Sequence, residues 1–196
     1  MIIQNSDITA VILAGGQGRR MGGQDKGLID FDGRLMIEIL IEHLRQQQVD
    51  VLINANRNQA TYQSYGCPVI SDDLKDFQGP LAGFASAMTV VNTDFILTLP
   101  CDSPLIADSF VDRFIDSYNR KATSISVAHD GERLQPVYAL INTSLIDDLK
   151  KFLQSGERKI DRWYAMHDYA LVDFSDEASM FENINTPGDR QRLLGQ

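Results

Sequence analysis

Short apolar runs alternate with amphipathic segments along the first half of the chain. Four apolar runs are predicted to be buried β-strands, at 8–13, 50–55, 68–71 and 95–99. Three segments with apolar residues at helical spacing are predicted to be helices: Leu35, Ile39, Leu40 and Leu44; Leu81, Phe84, Ala85 and Met88; Phe110, Val111, Phe114 and Ile115. This alternation predicts a largely parallel sheet with helices on both faces.

The second half of the chain has a different pattern. Predicted strands at 124–128 and 136–141 flank His129-Asp130-Gly131-Glu132, whose Asp-Gly pair is typical of a hairpin turn. The remaining predicted elements are a helix through Leu145, Leu149, Phe152 and Leu153, a strand at 170–174, and a helix from the cap Thr186 and Pro187 to Leu194. We predict one α/β domain over 1–196, with a Rossmann-like three-layer fold and an added antiparallel element.

Composition narrows the class of protein. A chain of 196 residues with 43% hydrophobic and 23% charged residues is typical of one globular domain. The net charge of -9 argues against a nucleic-acid partner, which would require clustered cations. Cys67 and Cys101 are too far apart for a metal motif, and free thiols fit a cytoplasmic location. With no signal-peptide pattern and no long apolar run, we expect no membrane association.

A glycine-rich segment comes after the first predicted strand, with glycines at 15, 16, 18, 22 and 23. Glycine permits close approach of the backbone to a ligand and unusual dihedral angles. Free backbone N–H groups, with Arg19, Arg20 and Lys26 nearby, predict a polyphosphate site. Gly27 after Lys26 excludes a Walker A loop, and adjacent arginines disfavour a dinucleotide-binding turn. The alternative is a surface loop without a ligand.

Polar groups lie after each of the four predicted strands. The glycine loop comes after the first strand, Asn54 lies at the end of the second, Asp72 comes after the third and Asp102 lies just past the fourth. Because ligands bind beyond the carboxyl ends of parallel strands, these groups are predicted to converge on one edge of the sheet. This convergence favours an enzyme over a plain binding loop.

Asp102 is the candidate metal ligand. It lies between Pro100 and Pro104, which stiffen the exit of the strand. A carboxylate there can bind Mg²⁺ and bridge it to substrate phosphates, although an aspartate in this context can also be a turn or cap residue. Lys26 and Arg20 can neutralise and clamp phosphate oxygens, or remain solvated. Cys101 is interpreted as a buried filler, and Asp25 as an orienting partner for Lys26 or a turn former.

The order Leu-Ala-Gly-Gly, Arg-Met-Gly and Asp-Lys over 13–26 resembles the signature of nucleotidyltransferases of the sugar-nucleotide pyrophosphorylase type. More narrowly, the chain resembles the molybdenum cofactor guanylyltransferases, the MobA family. Five further segments carry the resemblance along nearly the whole chain: Asn54-Ala55-Asn56-Arg57, Gly79-Pro80-Leu81-Ala82-Gly83, Pro100-Cys101-Asp102-Ser103-Pro104, His129-Asp130-Gly131-Glu132-Arg133 and Asn183-Ile184-Asn185-Thr186-Pro187.

The resemblance implies transfer of GMP from GTP to molybdenum-bearing molybdopterin, with Mg²⁺ as cofactor. It implies catalytic roles for Lys26, Arg20 and Asp102, with the metal on Asp102. The residues that it assigns to GTP are Leu13, Ala14, Gly15, Gly16, Lys26, Asn54, Asp72, Gly79 and Asp102. The match to the family motif is ambiguous by one residue at this position, so it fits Asp73 as well as Asp72.

The resemblance assigns the two ligands to different halves of the chain. Residues 1–105 would bind the nucleotide, and 106–196 would bind the pterin through Asn183 and Asn185. Transient partners would be molybdenum-insertion proteins and apo-molybdoenzymes or their chaperones. Two alternatives stay open: a related enzyme of cytidylyl or sugar-phosphate type, and a GTP or pterin carrier without catalysis. Leu13 before the glycines favours guanine, and the presence of both Lys26 and Asp102 argues against a carrier.

Overall fold

The computed structural model describes residues 2–16, 25–72, 79–184 and 187–194. Arg19, Arg20, Asp73, Asn185 and the predicted cap Thr186 lie outside these residues. None of the described helices has the length and apolar character needed to cross a membrane.

The described strands form a seven-stranded sheet and a separate two-stranded hairpin. The hairpin pairs β2 (Asp30–Phe31) with β3 (Arg34–Leu35). The strands of the large sheet are β1 (Ile8–Leu13), β4 (Asp50–Asn54), β5 (Val69–Ile70), β6 (Phe95–Pro100), β7 (Ile125–His129), β8 (Leu134–Asn142) and β9 (Tyr169–Asp173). Their order is β5-β4-β1-β6-β8-β7-β9, with β8 antiparallel to both of its neighbours. The predicted parallel sheet with an added antiparallel element is therefore confirmed.

Helices cover both faces of the large sheet. The described α-helices are α1 (Met36–Gln46), α2 (Gln59–Gln63), α3 (Pro80–Val90), α4 (Phe110–Arg120), α5 (Ile146–Gln154), α6 (Ile160–Tyr164) and α7 (Pro187–Leu194). Apolar residues of α1 and α4 pack on one face of the sheet, against Ala10 and Ile12 of β1. Those of α3, α5 and α6 pack on the other face, against Val11. Since β1 is buried on both faces, it is apolar at every position except Thr9 rather than alternating.

The strand register aligns the carboxyl ends of the parallel strands. Leu13 lies opposite Asn54 on one side and Pro100 on the other, and Asn54 lies opposite Ile70. Segments that leave these four strands therefore begin at the same level of the sheet. The edge predicted to carry the functional groups is formed by this alignment.

A β-bulge in β8 lies near the same edge. Val127 pairs with Ala139, whereas the next residue, Ala128, pairs with Gln135, so the residues of β8 between these partners leave the register. The Thr98 hydroxyl donates to the Val137 carbonyl at 2.7 Å, and the Tyr164 hydroxyl donates to the Pro136 carbonyl at 2.8 Å. These side chains replace ladder bonds that the bulge removes.

Candidate functional site

A cavity of about 540 Å³ opens at the carboxyl edge of the sheet. Its lining includes all nine residues predicted to bind the nucleotide: Leu13, Ala14, Gly15, Gly16, Lys26, Asn54, Asp72, Gly79 and Asp102. Pro80, Gly83, Pro100, Cys101 and Val137 also line it. The structure therefore brings the predicted residues together, while their contacts with a ligand stay a prediction.

The backbone at the end of β1 continues the sheet before it enters the glycine segment. Ala14 N–H donates to the Asn54 carbonyl at 2.8 Å, and Cys101 N–H donates to the Leu13 carbonyl at 3.2 Å. A Cβ at Gly15 would lie 2.9 Å from Asn56 Nδ2, whereas a Cβ at Gly16 would meet open space. Glycine is thus required at 15 by close packing.

The expectation of unusual dihedral angles is wrong for the two described glycines of this loop. Among the described residues, the glycines with positive φ are Gly33, Gly66, Gly79, Gly131 and Gly156, and this group excludes Gly15 and Gly16. The physical reason is that the backbone leaves β1 without a positive φ at either residue, and the feature that favours glycine at 15 is the close approach of Asn56. Gly18, Gly22 and Gly23 lie outside the described residues.

Lys26 and Asp102 form an ion pair across the cavity. Lys26 Nζ lies 2.7 Å from Asp102 Oδ2, and the two side chains are 28% and 13% exposed. Partial exposure leaves both charges accessible to a ligand, while the surrounding wall weakens their screening by water. A positive charge on Lys26 and a negative charge on Asp102 thus lie together just after the end of β6. A transfer of a phosphoryl group would use a cation near the phosphates and a carboxylate to hold a metal ion.

One expectation for Asp25 was that it orients Lys26 by pairing with it. The structure shows other partners for Asp25. Its buried carboxylate accepts hydrogen bonds from the Tyr62 hydroxyl at 2.5 Å and from Asn58 Nδ2 at 3.1 Å. A Cβ at Gly27 would lie 2.6 Å from the Tyr62 hydroxyl oxygen, so α2 packs directly beneath this turn. The network fixes the backbone on either side of Lys26, whose ammonium extends to Asp102.

Asp72 is held by two asparagines. Asn54 Nδ2 donates to Oδ1 at 3.0 Å, and Asn56 Nδ2 donates to Oδ2 at 2.7 Å. Asn54 is almost fully buried, whereas Asp72, which lines the cavity, and Asn56 are half-buried. Two donors on two oxygens fix the plane of the carboxylate at the cavity wall.

The start of α3 forms the wall beside Asp72. Gly79 has φ +82°, a value that favours glycine, and Pro80 occupies the first helical position. A Cβ at Gly83 would lie 2.8 Å from both Asn54 Oδ1 and Leu13 Cδ2. The missing side chain allows the helix to lie directly against the ends of β1 and β4.

Asn183, which was predicted to bind the pterin, lies in a segment that is hydrogen-bonded to the residues just after β6. The Ser103 hydroxyl donates to Asn183 Oδ1 at 2.6 Å, and Ile184 N–H donates to the Asp102 carbonyl at 2.8 Å. Ser103 is fully buried, whereas Asn183 is exposed. With Oδ1 engaged, the Nδ2 group of Asn183 is the part of its amide that a ligand would meet.

Cys101, next to Asp102, is buried, which disfavours a role as nucleophile. Burial raises the pKa of the Cys101 thiol, and the charges of Asp102 and Asp25 raise it further. A protonated, buried thiol fits the interpretation of Cys101 as a filler. In the part of the chain that the structure describes, no group of three or more His, Cys, Asp or Glu side chains is placed to hold a metal ion.

Several residues of the site were not identified from the sequence. Asn56, Asn58, Tyr62 and Ser103 each make a hydrogen bond to a residue that the sequence analysis singled out. Asn56 and Ser103 carried a usable signal, because each lies in a segment that carries the family resemblance, near Asn54 or Asp102. Asn58 and Tyr62 lie outside those segments.

Comparison with known proteins places the chain in a family. Residues 10–170 match the family model described as the MobA-like NTP transferase domain. A protein from Shewanella baltica (strain OS155) named molybdenum cofactor guanylyltransferase is 48% identical over 189 residues, which cover 96% of this chain and 96% of that protein.

Solved structures share the fold. Molybdopterin-guanine dinucleotide biosynthesis protein A from Archaeoglobus fulgidus has a TM-score of 0.78 at 23% identity, covering 94% of this chain and 95% of that chain. The 4-diphosphocytidyl-2C-methyl-D-erythritol synthase from Anaerococcus prevotii has a TM-score of 0.76 at 12% identity, covering 100% and 99% of the two chains. The family match over most of the sequence, supported by the close relative, shows that this chain belongs to the MobA-like NTP transferase family.

Proposed function

We propose that this protein transfers GMP from GTP to molybdenum-bearing molybdopterin, forming the guanine dinucleotide cofactor and pyrophosphate. The observation that carries this proposal is a cavity in which the Lys26–Asp102 pair, the glycine loop and Asp72 meet. The chain that forms it is 48% identical to a protein named molybdenum cofactor guanylyltransferase over 96% of its length.

The reaction would be an in-line substitution at the α-phosphorus of GTP. An oxygen of the terminal phosphate of the pterin forms a bond to this phosphorus, and the bond to the bridging oxygen of the β-phosphate breaks. Pyrophosphate leaves with the electron pair of that bond. Such a reaction requires positioning and charge neutralisation rather than a protein nucleophile. Lys26 would supply the positive charge, and the N–H groups of Gly15 and Gly16 would supply fixed donors.

We assign Mg²⁺ to Asp102. Its carboxylate, paired with Lys26 through Oδ2, would be the protein group that holds the ion. A single partly exposed carboxylate fits this hard cation, which keeps several waters and takes its other ligands from substrate phosphates. When bound, Mg²⁺ would neutralise charge on the phosphates. Arg20, outside the described residues, is proposed as a second phosphate contact.

The fold alone does not determine which base is bound, because the 4-diphosphocytidyl-2C-methyl-D-erythritol synthase has a similar fold and its name refers to a cytidyl group. We assign base selection to Asp72, whose carboxylate would accept hydrogen bonds from N1–H and the 2-amino group of guanine. Asp72 and Asp102 lie just after β5 and β6, which are three strand spacings apart in the sheet. That separation, on the order of 14 Å, leaves room for a nucleoside between the base-binding and metal-binding carboxylates.

We expect Asp72→Asn to lower the GTP affinity about tenfold or more, because the neutral amide offers one acceptor where the carboxylate offers two. Calorimetric titration of GTP with Mg²⁺ measures the effect. Asp73→Asn is the matched control for the adjacent carboxylate. A loss at Asp73→Asn with no change at Asp72→Asn would move the assignment by one residue.

The acceptor is assigned to Asn183 and Asn185. We expect Asn183→Ala to weaken binding of loaded molybdopterin about tenfold or more, because a donor to a charged ligand is lost. GTP affinity should stay within about twofold, and a melting curve checks stability. Ser103→Ala should give a smaller loss, since the Asn183 amide remains but is no longer oriented by the hydroxyl. Equal weakening of both ligands would contradict an acceptor-specific role.

The direct test is pyrophosphate release with loaded molybdopterin, Mg²⁺ and one nucleotide at a time: GTP, CTP, UTP or ATP. Release that requires both GTP and pterin supports the proposal. Release with CTP would favour the cytidylyl alternative, and tight GTP binding without release would favour a carrier. Transient contacts with molybdenum-insertion proteins, apo-molybdoenzymes or their chaperones are part of the same proposal.

A further inference from the structure

We propose that Asn56 is a positioning residue for base selection. Its amide holds the Asp72 carboxylate at a fixed place relative to the glycine loop, so that the carboxylate distinguishes guanine from purines without a 2-amino group. The inference deepens the proposed function and rests on it. Asn56 lies on the short connection between β4 and α2 and is half-buried.

Both ends of the Asn56 amide bind Asp72. Its Nδ2 donates to Asp72 Oδ2 at 2.7 Å, and its Oδ1 accepts from the backbone N–H of Asp72 at 2.8 Å. These two hydrogen bonds close a ring between the residues, and the second fixes which way the amide faces. A simple packing role would require neither this orientation nor a donor directed at the carboxylate.

The same amide reaches the glycine loop. Asn56 Nδ2 also lies 3.4 Å from the Gly15 carbonyl oxygen, at the outer limit of a hydrogen bond. A Cβ at Gly15 would approach Nδ2 to 2.9 Å, so the loop packs against the amide without spare room. Asn56 therefore connects the part of the cavity assigned to phosphate with the part assigned to the base.

The arrangement leaves acceptor capacity for a base. Each carboxylate oxygen can accept about two hydrogen bonds, and each Asp72 oxygen receives one asparagine amide, from Asn54 at Oδ1 and Asn56 at Oδ2. Counting donors from the described residues only, one site on each oxygen remains for a ligand with two adjacent donors. Guanine presents such a pair in N1–H and the 2-amino group, whereas hypoxanthine presents only N1–H. Cytosine and adenine place a ring acceptor beside their amino group.

The test compares GTP with ITP, which lacks the 2-amino group. We expect the parent to prefer GTP in kcat/KM, and Asn56→Ala to reduce the ratio of GTP to ITP about tenfold. The ratio is measured within one variant, so a lower folded fraction cancels. Asn56→Asp keeps the size and the acceptor for the Asp72 N–H but sets two carboxylates side by side, and we expect it to reduce the ratio as well.

Arg57→Ala is the matched control. Arg57 donates to the Gly16 carbonyl at 3.0 Å, so its removal perturbs the same loop but leaves both amides on Asp72 in place. We expect its GTP to ITP ratio to equal that of the parent. An unchanged ratio in both Asn56 variants would overturn the inference, as would an equal reduction in Arg57→Ala.

Calorimetry separates this inference from the proposed reaction. If the parent releases no pyrophosphate from either nucleotide, the proposed reaction fails, and dissociation constants for GTP and ITP with Mg²⁺ take the place of kcat/KM. A preference for GTP that Asn56→Ala removes would still support base selection by the Asn56–Asp72 pair. A parent that binds GTP and ITP equally would overturn it.

Discussion

Asp102→Ala is expected to lower kcat for GMP transfer on the order of a thousandfold. The carboxylate is the partner of Lys26 at 2.7 Å and the proposed ligand of Mg²⁺, so the variant loses the metal and the orientation of the lysine together. Stability should change little, because the Asp102 backbone carbonyl still accepts from Ile184 N–H. Pyrophosphate release and a circular-dichroism melting curve measure the two quantities.

Two further variants sharpen this result. Asp102→Asn keeps the size of the side chain and removes its charge, and we expect it to lose the Mg²⁺ dependence of GTP binding. Asp50→Asn removes the same charge from an exposed residue at the opposite end of the parallel strands and should behave as the parent. Near-normal turnover by a folded Asp102→Ala protein would contradict the metal assignment.

The parts of the fold that the sequence predicted are those with strong periodicity or complete burial. β1 and β6 are apolar at nearly every position because helices cover both faces of the sheet, and their predicted positions agree within one residue. The hairpin β2–β3 was not predicted, and neither were the helices α2 and α6, whose five residues cover little more than one helical turn. Segments of that length contain too few positions to show a period.

The site was predictable to the extent that its residues lie at strand ends. Asn54, Asp72 and Asp102 reach one cavity because parallel strands deliver the residues at their carboxyl ends to one edge. The supporting contacts are tertiary, and the sequence does not show them. Asp25 illustrates this, because its position next to Lys26 in the sequence suggested that the two side chains pair. Its actual donor Tyr62 lies on α2, a helix that was not predicted.

Two reasons were given for the glycines of the loop, and one of them, unusual dihedral angles, is wrong at Gly15 and Gly16. A glycine in a sequence can mark a positive φ or a close approach, and the pattern alone does not separate the two. At Gly79 the structure shows a positive φ, whereas at Gly15 it shows the close approach of Asn56. This distinction changes what a substitution at Gly15 is expected to do.

Gly15→Leu is expected to weaken GTP binding on the order of a hundredfold although no catalytic side chain is removed. Its Cβ would lie 2.9 Å from Asn56 Nδ2 and 3.3 Å from Asn54 Oδ1. Both asparagines are bound to Asp72, so they cannot move aside without releasing the carboxylate. The rest of the leucine side chain adds bulk at the cavity wall where the phosphates are proposed to lie.

Smaller substitutions separate these two causes. Gly15→Ala adds only the Cβ, so it should disturb the asparagines and reduce the preference for GTP over ITP without filling the cavity. Gly16→Ala adds a Cβ that meets open space, and we expect a smaller loss of GTP affinity with an unchanged preference. Titration of GTP and ITP against the three variants, with a melting curve for each, gives the comparison. If Gly15→Leu binds GTP as tightly as the parent, this loop is not the wall against which the nucleotide lies.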